Sequence, residues 1–258
     1  MKRNAIVRII LYSVTVVLLI AILIGGLTET FPFFGSGKGI PVDCEASIEA
    51  VSCREIEINW ASGSVVIKRE DVPKIIFRET ASDTIRHSMT YRFSDGTLEL
   101  NYSGQKFAVN ASQEKDLVIV VPLDWKAQSI EINGADLTVD IIDLTVDELE
   151  IETASSLLNF RGSVDKVSID ATSVKAKLQC SNRVSEIDMD GTGCSLELIL
   201  PKECGFLLEM DGLGCDFHSE LAGIAQNGSY HYGDQHCKIE VNGMNCNVSI
   251  HEDPIWPI

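Results

Sequence analysis

A short pattern that returns every 18 to 21 residues constrains this chain more than any other feature of it. Its clearest copy is IEINGADLTVDI at 130–141. Further copies are LEIETASSLLNF (149–160), VSIDATSVKAKL (167–178), IDMDGTGCSLEL (187–198), LEMDGLGCDFHS (208–219) and IEVNGMNCNVSI (239–250), with a fainter one, IEINWASGSVVI, at 56–67. Counted from its first residue, each copy is apolar at offsets 0 and 2. It carries small or turn-forming residues at offsets 3 to 6 and mostly apolar ones at 7, 9 and 11. Period-two alternation on both sides of a break reads as strand, corner, strand.

The starts at 130, 149, 167, 187 and 208 lie 19, 18, 20 and 21 residues apart, and the last step, to 239, is 31, which places an extra loop near 221–236. A period near 20 with one such unit per repeat predicts a β-solenoid. One unit cannot bury its apolar face, whereas units stacked at the strand spacing can. Ala127, Val146, Val164 and Val184 stand three residues before successive starts and suggest a short third side. Glycine and β-branched residues interrupt any helical reading of the copies. Offset 3 is Asn, Asp or Glu in every copy, and offset 4 is Gly in four of them: Gly134, Gly191, Gly212 and Gly243. Asn or Asp before Gly tolerates positive φ, so these two offsets are expected to make the corner.

Upstream, 75–77, 89–93, 98–102 and 117–121 are short apolar, β-branched or aromatic runs. They predict antiparallel strands that flank or cap the repeats. Ser94-Asp95-Gly96-Thr97 places Asp-Gly between two of them, a strong hairpin signal. Pro122 ends the last, because proline cannot donate to a ladder.

Ile9 to Leu27 is a run of 19 residues without charge, long enough to cross a hydrocarbon core as a helix. Lys2, Arg3 and Arg8 precede it and Glu29 follows. The positive-inside rule then puts the N-terminus in the cytoplasm and the rest outside. A cleaved signal peptide is the competing reading. The run is long for a signal core, and GGLTETFPFF offers no clean small-x-small site. The expected organisation is a cytoplasmic N-terminus (1–8), a transmembrane helix (9–27) and a juxtamembrane linker (28–43). An extracytoplasmic strand-repeat domain (44–252) and a tail (253–258) follow. The fold class is all-β after the anchor: a single-stranded, β-helix-like solenoid with antiparallel strands in its N-terminal half.

The order of these parts resembles a known family. An N-terminal membrane segment is followed by a strand-rich half ending in LVIVVPLD (117–124) and then by (I/V)x(I/V)x(N/D)Gxxxxx(L/V) units. This is similar to the bacterial "putative adhesin" ectodomains of unknown function, related to the toastrack domains of Lia- and Psp-type envelope-stress systems. The resemblance covers about residues 45–252. It implies a solenoid displayed at a bacterial cell surface, with no catalytic residues to carry over. Eight cysteines set this chain apart from that pattern.

The net charge is −17, and since 1–27 hold three basic residues and no acid, the remainder carries −20. Such a surface argues against nucleic acid, which is bound by clustered Lys and Arg. Offset 1 holds Glu57, Glu131, Glu150, Ser168, Asp188, Glu209 and Glu240, six carboxylates in seven copies. Stacked in register they repel. They serve either as a solvated flank that discourages edge pairing or as a docking face for a basic protein or peptide, or for a divalent cation such as Ca²⁺.

Cys194, Cys215 and Cys246 all fall at offset 7 and should form an inward column of small buried thiols; a disulfide or a thiolate metal site are the alternatives. Cys180, Cys204 and Cys237, with Cys44 and Cys53, lie outside the copies and are the better disulfide candidates. His231, Asp234, His236 and Cys237 in HYGDQHC are metal-ligand types at a spacing that matches no zinc signature. The chain has no GxSxG, P-loop or HExxH motif. No cofactor is expected. The function read from the sequence is a non-catalytic, membrane-anchored surface interaction or scaffold module, in adhesion or envelope-stress sensing. A polysaccharide- or cell-wall-acting β-helix enzyme and a Ca²⁺-dependent adhesin are the alternatives.

Overall fold

The structure, a computed structural model, describes residues 39–42, 45–81, 89–102, 115–181, 184–202, 204–226 and 228–252. The expected anchor at 9–27, Cys44 and the tail at 253–258 lie outside them. Among the described residues no helix is long and apolar enough to cross a membrane. They are all-β apart from one 3₁₀ turn, Ala50–Ser52. Every described residue belongs to one unit, 39–104 with 110–258.

The strands of the N-terminal half are β1 (Ile40–Pro41), β2 (Glu45–Glu49), β3 (Glu55–Glu70), β4 (Lys74–Ala81), β5 (Thr90–Ser94), β6 (Thr97–Asn101) and β7 (Lys115–Pro122). Next comes β8 (Ala127–Cys180), 54 residues bent round successive corners. Copy 56 stacks in register on copy 130, parallel, from Glu55↔Ser129 to Lys68↔Ile142. Within β8, Asn159 Nδ2 donates to Asp140 Oδ1 at 2.8 Å across a separation of 19 residues. Arg161 grips Asp143 through two 2.8 Å bonds across 18. The last part of β8 pairs in parallel with β9 (Glu186–Thr192) and β10 (Ser195–Leu200). These pairings make a solenoid, as the repeat demanded.

The alternation sorts side chains as expected. Ile56, Ile58, Ile130, Ile132, Val139, Ile141, Leu196 and Leu198 are all fully buried. Burying each aliphatic side chain contributes roughly 1.5–3 kcal/mol. Ala127, Val146, Val164 and Val184 line the third side, none above 2% exposed.

The fold departs from the sequence pattern in three places. First, 98–102 and 117–121 are not caps. β6 and β7 run parallel to β3, with Ile56↔Leu98 and Val65↔Leu117. Together they stack a further coil on β3. The antiparallel caps are β5 on β6 and β4 on β7, with β2 on β4 and β1 on β5. The β5–β6 hairpin turns at Asp95 and Gly96, both left-handed (φ 56° and 94°), as the Asp-Gly pair predicts.

Second, coil order departs from chain order at both ends. The C-terminal strands are β11 (Phe206–Leu213), β12 (Asp216–Ser219), β13 (Ile224–Gln226), β14 (Ser229–Tyr232), β15 (Cys237–Met244) and β16 (Asn247–Glu252). β15 pairs with β9 on one side and β11 on the other; β16 pairs with β10 and β12. The last coil, 237–252, is therefore inserted between 186–200 and 206–219. In the same way 55–70 lies between 97–122 and 127–142. The loop expected near 221–236 is the β13–β14 hairpin, with β14 antiparallel on β11. Its Tyr230 and Tyr232 pack on Phe206 at 6.0 and 5.5 Å between ring centroids, and so cap the core.

Third, of the residues at offsets 3 and 4 only Gly243 (157°) has a positive φ. In the last three copies a positive φ falls at offset 6, at Gly193 (71°), Gly214 (70°) and Asn245 (54°). Glycine at offset 4 answers to close approach instead. A Cβ on Gly191 would lie 2.1 Å from the Ala171 carbonyl oxygen of the next coil.

Candidate functional site

Offsets −1, 1 and 3 of every coil project from one side of the stack, because residues of one parity share a face of a strand. In spatial order the offset-1 column is Glu99, Glu57, Glu131, Glu150, Ser168, Asp188, Glu240, Glu209. All the expected carboxylates are in it. Glu99 is the member that sequence reasoning missed. The signal was Leu98-Glu99-Leu100-Asn101, which fits the first half of the repeat.

The carboxylates at the first end of this face are held by hydrogen bonds. In the first three coils offset 3 is asparagine. Asn101, Asn59 and Asn133 each donate to the carboxylate two residues back, Glu99, Glu57 and Glu131, at 2.9, 2.9 and 2.7 Å. They also bond to one another: Asn59 Nδ2 donates to Asn101 Oδ1 at 3.1 Å, and Asn133 Nδ2 to Asn59 Oδ1 at 3.3 Å. Arg92 pairs with Glu99. Beyond the middle Lys238 pairs with Glu240, and at offset −1 of two middle coils Lys166 pairs with Glu186.

The middle differs. There offset 3 becomes Glu152, Asp170 and Asp190, beside Glu150 and Asp188. With Ser168 they line a shallow depression of about 120 Å³, floored by Ile151 and Ile169. Among the described residues none of these five carboxylates has an ion pair within 4 Å. Burial, and then the charges of Glu148, Glu131 and Glu152, hold the Glu150 carboxyl above its ordinary range. Burial followed by Asp170 does the same to Glu152, and burial followed by Asp190 to Asp170. Asp188 is raised by burial and then by Asp190, Glu240 and Glu186, with Lys238 opposing. Its Oδ1 is enclosed and accepts no hydrogen bond.

The other expected residues fall elsewhere. Cys194, Cys246 and Cys215 do form the offset-7 column, but the insertion sets their order: Cys246 is in the middle. Cys194 and Cys246 are buried and Cys215 is half-buried. Cys53, Cys180 and Cys237, offered as disulfide candidates, carry thiols. Burial pushes Cys180 up to about 12, with Cys204 adding to it. Cys237 is raised by burial and then by Cys204 and Cys180, so those three gather at one corner. The HYGDQHC residues are not brought together. His231 bonds Gln235 (Nδ1···Oε1 3.1 Å), Asp234 and His236 are exposed on the turn, and Cys237 is fully buried. Among the described residues no three His, Cys, Asp or Glu side chains are grouped to hold a metal ion.

Fold and face together define a capped parallel β-solenoid with one strongly acidic side. No family model matches the chain, and no curated protein matches it. It is similar to solved structures that include a putative cell adhesion protein from Clostridium sporogenes, at 16% identity over 83% of this chain and 100% of that one, with a TM-score of 0.47. Others are a putative adhesin from Bacteroides fragilis, at 12% identity over 80% and 96% with a TM-score of 0.46, and a putative lipid binding protein from Parabacteroides distasonis, at 11% over 83% and 98% with a TM-score of 0.34. Likeness at this level defines neither a ligand nor an activity for this chain.

Proposed function

We propose that this chain is a non-catalytic interaction module, held at the outside of a cell by the apolar run Ile9–Leu27, whose acidic face docks a basic protein partner. One contrast carries the reading. The same face matches its carboxylates with Asn and Arg in its first three coils and with Lys at Glu240, and leaves Glu150, Glu152, Asp170, Asp188 and Asp190 without an ion pair among the described residues. Like charges stacked at about 4.8 Å oppose folding. Lysine or arginine side chains from a partner would relieve the repulsion and steer the encounter.

Binding of an oligolysine peptide, measured by calorimetry at two salt concentrations, tests this. The wild type should bind with an affinity that falls with salt. Glu150→Gln/Glu152→Gln/Asp170→Asn should lose roughly tenfold or more. A variant with the same charge removed elsewhere, Asp136→Asn/Asp147→Asn/Asp165→Asn, should lose far less. Equal losses in the two variants would reduce the face to general acidity and overturn the docking reading. A rise in melting temperature with CaCl₂ that only the first variant abolishes would favour a divalent cation.

A further inference from the structure

The C-terminal end carries an arrangement that the acidic face does not use. The inserted coil holds Cys246 between Cys194 on one neighbour and Cys215 on the other, as the pairs Ser195↔Asn247 and Asp216↔Asn247 one residue on require. All three thiols point along the stack rather than across it. Cys194 Sγ contacts the Ala171 carbonyl oxygen at 3.5 Å, Cys246 Sγ that of Gly191 at 3.7 Å and Cys215 Sγ that of Gly243 at 3.6 Å. Each acceptor is the offset-4 residue of the adjoining coil. In-register strands lie about 4.8 Å apart, within the Cα separation of 4.4–6.8 Å that a disulfide spans. Exposure distinguishes the three: Cys194 and Cys246 are enclosed, and Cys215, in the outermost coil, is half-open to solvent.

We propose that Cys215 and Cys246 are a disulfide-forming modification site that staples the inserted coil 237–252 to the outermost coil 206–219. The oxidant is a disulfide, small-molecule or protein-borne. The Cys215 thiolate attacks one of its sulfurs, forms a mixed disulfide and releases a thiolate. Cys246 loses its proton, attacks Cys215 Sγ and expels the second thiolate. Two protein thiols are thereby oxidised by two electrons, and one external disulfide is reduced to two thiols that take up the two protons. Burial raises the Cys246 thiol to about 11, which suits it to be the second, intramolecular attacker and not the entry point. The bond closes a loop of about 30 residues around the β13–β14 hairpin, a length at which a cross-link restricts the unfolded chain substantially.

The full chain, reduced, is incubated with oxidised glutathione, alkylated and digested without reductant. The expected result is a linked pair of peptides containing Cys215 and Cys246, and a melting temperature that rises on oxidation and returns with dithiothreitol. Cys215→Ser, at a half-exposed site that tolerates the change, should fold, lose the link and lose the redox-dependent shift. A Cys194–Cys246 link, full alkylation of all three thiols after denaturation, or a shift that persists in Cys215→Ser would overturn the assignment.

Discussion

At the scale of single residues, the side chain least expected from the pattern is Lys115. In the register of β3 and β7 it occupies offset 7, opposite Gly63, an inward position. It is 1% exposed and paired with the fully buried Glu79 of β4. Its ammonium lies 4.1 Å from the Tyr102 ring centroid, and Tyr102 meets Trp60 edge-on at 5.2 Å. Glu79 Oε2 also accepts the Met89 N–H at 3.0 Å. Removing one partner of a buried pair strands the other charge. Lys115→Met should therefore destabilise by about 3–5 kcal/mol in urea unfolding. Lys115→Met with Glu79→Gln should recover most of that loss, since the amide oxygen still accepts from Met89 and no charge remains. An additive, larger loss in the double variant would mean that the charges themselves hold this end together. The Lys115 carbonyl accepts the Trp60 indole N–H at 2.9 Å, a backbone bond that neither variant removes.

At the scale of elements, the repeat made coil composition legible and coil order illegible, for one physical reason. Every copy presents the same parity of apolar residues, so any copy can stack on any other. Nothing in IEVNGMNCNVSI says that it belongs beside IDMDGTGCSLEL and not beyond LEMDGLGCDFHS. The acidic column was legible because offset 1 repeats. Its sharpening into a central cluster was not, because the Asn-to-carboxylate change at offset 3 matters only once neighbours are known. Coil 97–122 escaped notice because residues 103–114 separate its halves. Insertion predicts a specific coupling pattern. Ile239 faces Ile187 on one side and Leu208 on the other, which leaves Ile187 and Leu208 two strand spacings apart, about 9.6 Å. In double-mutant cycles of alanine variants, Ile187 with Ile239 should couple by about 0.5–3 kcal/mol. Ile187 with Leu208 should be additive within about 0.5 kcal/mol. Sequential stacking would give the reverse.

At the scale of the whole molecule, each end is an out-of-order outer coil edged by antiparallel strands, β5 on β6 and β4 on β7 at one end and β14 on β11 at the other; such strands close edges that would otherwise recruit other chains. Charge is where the ends and the middle part company, and it makes stability depend on pH in an unusual direction. Paired carboxylates ordinarily have depressed values and lose their contribution in acid. Glu150, Glu152, Asp170 and Asp188 are raised. The folded state then binds more protons than the unfolded one between the ordinary values, 4.5 for Glu and 3.8 for Asp, and the raised ones. Stability from these groups is complete below the ordinary values and is lost as pH rises through the raised ones. Melting temperature followed from pH 7 downward should reveal this when wild type is compared with Glu150→Gln/Glu152→Gln/Asp170→Asn. The variant should melt higher at neutral pH, and the gap should close as acid protonates the wild-type cluster. A bound cation should close the same gap at neutral pH by screening the same charges. A gap that stays constant with pH would mean that the cluster is ordinarily solvated, and the case for a partner on this face would fall with it.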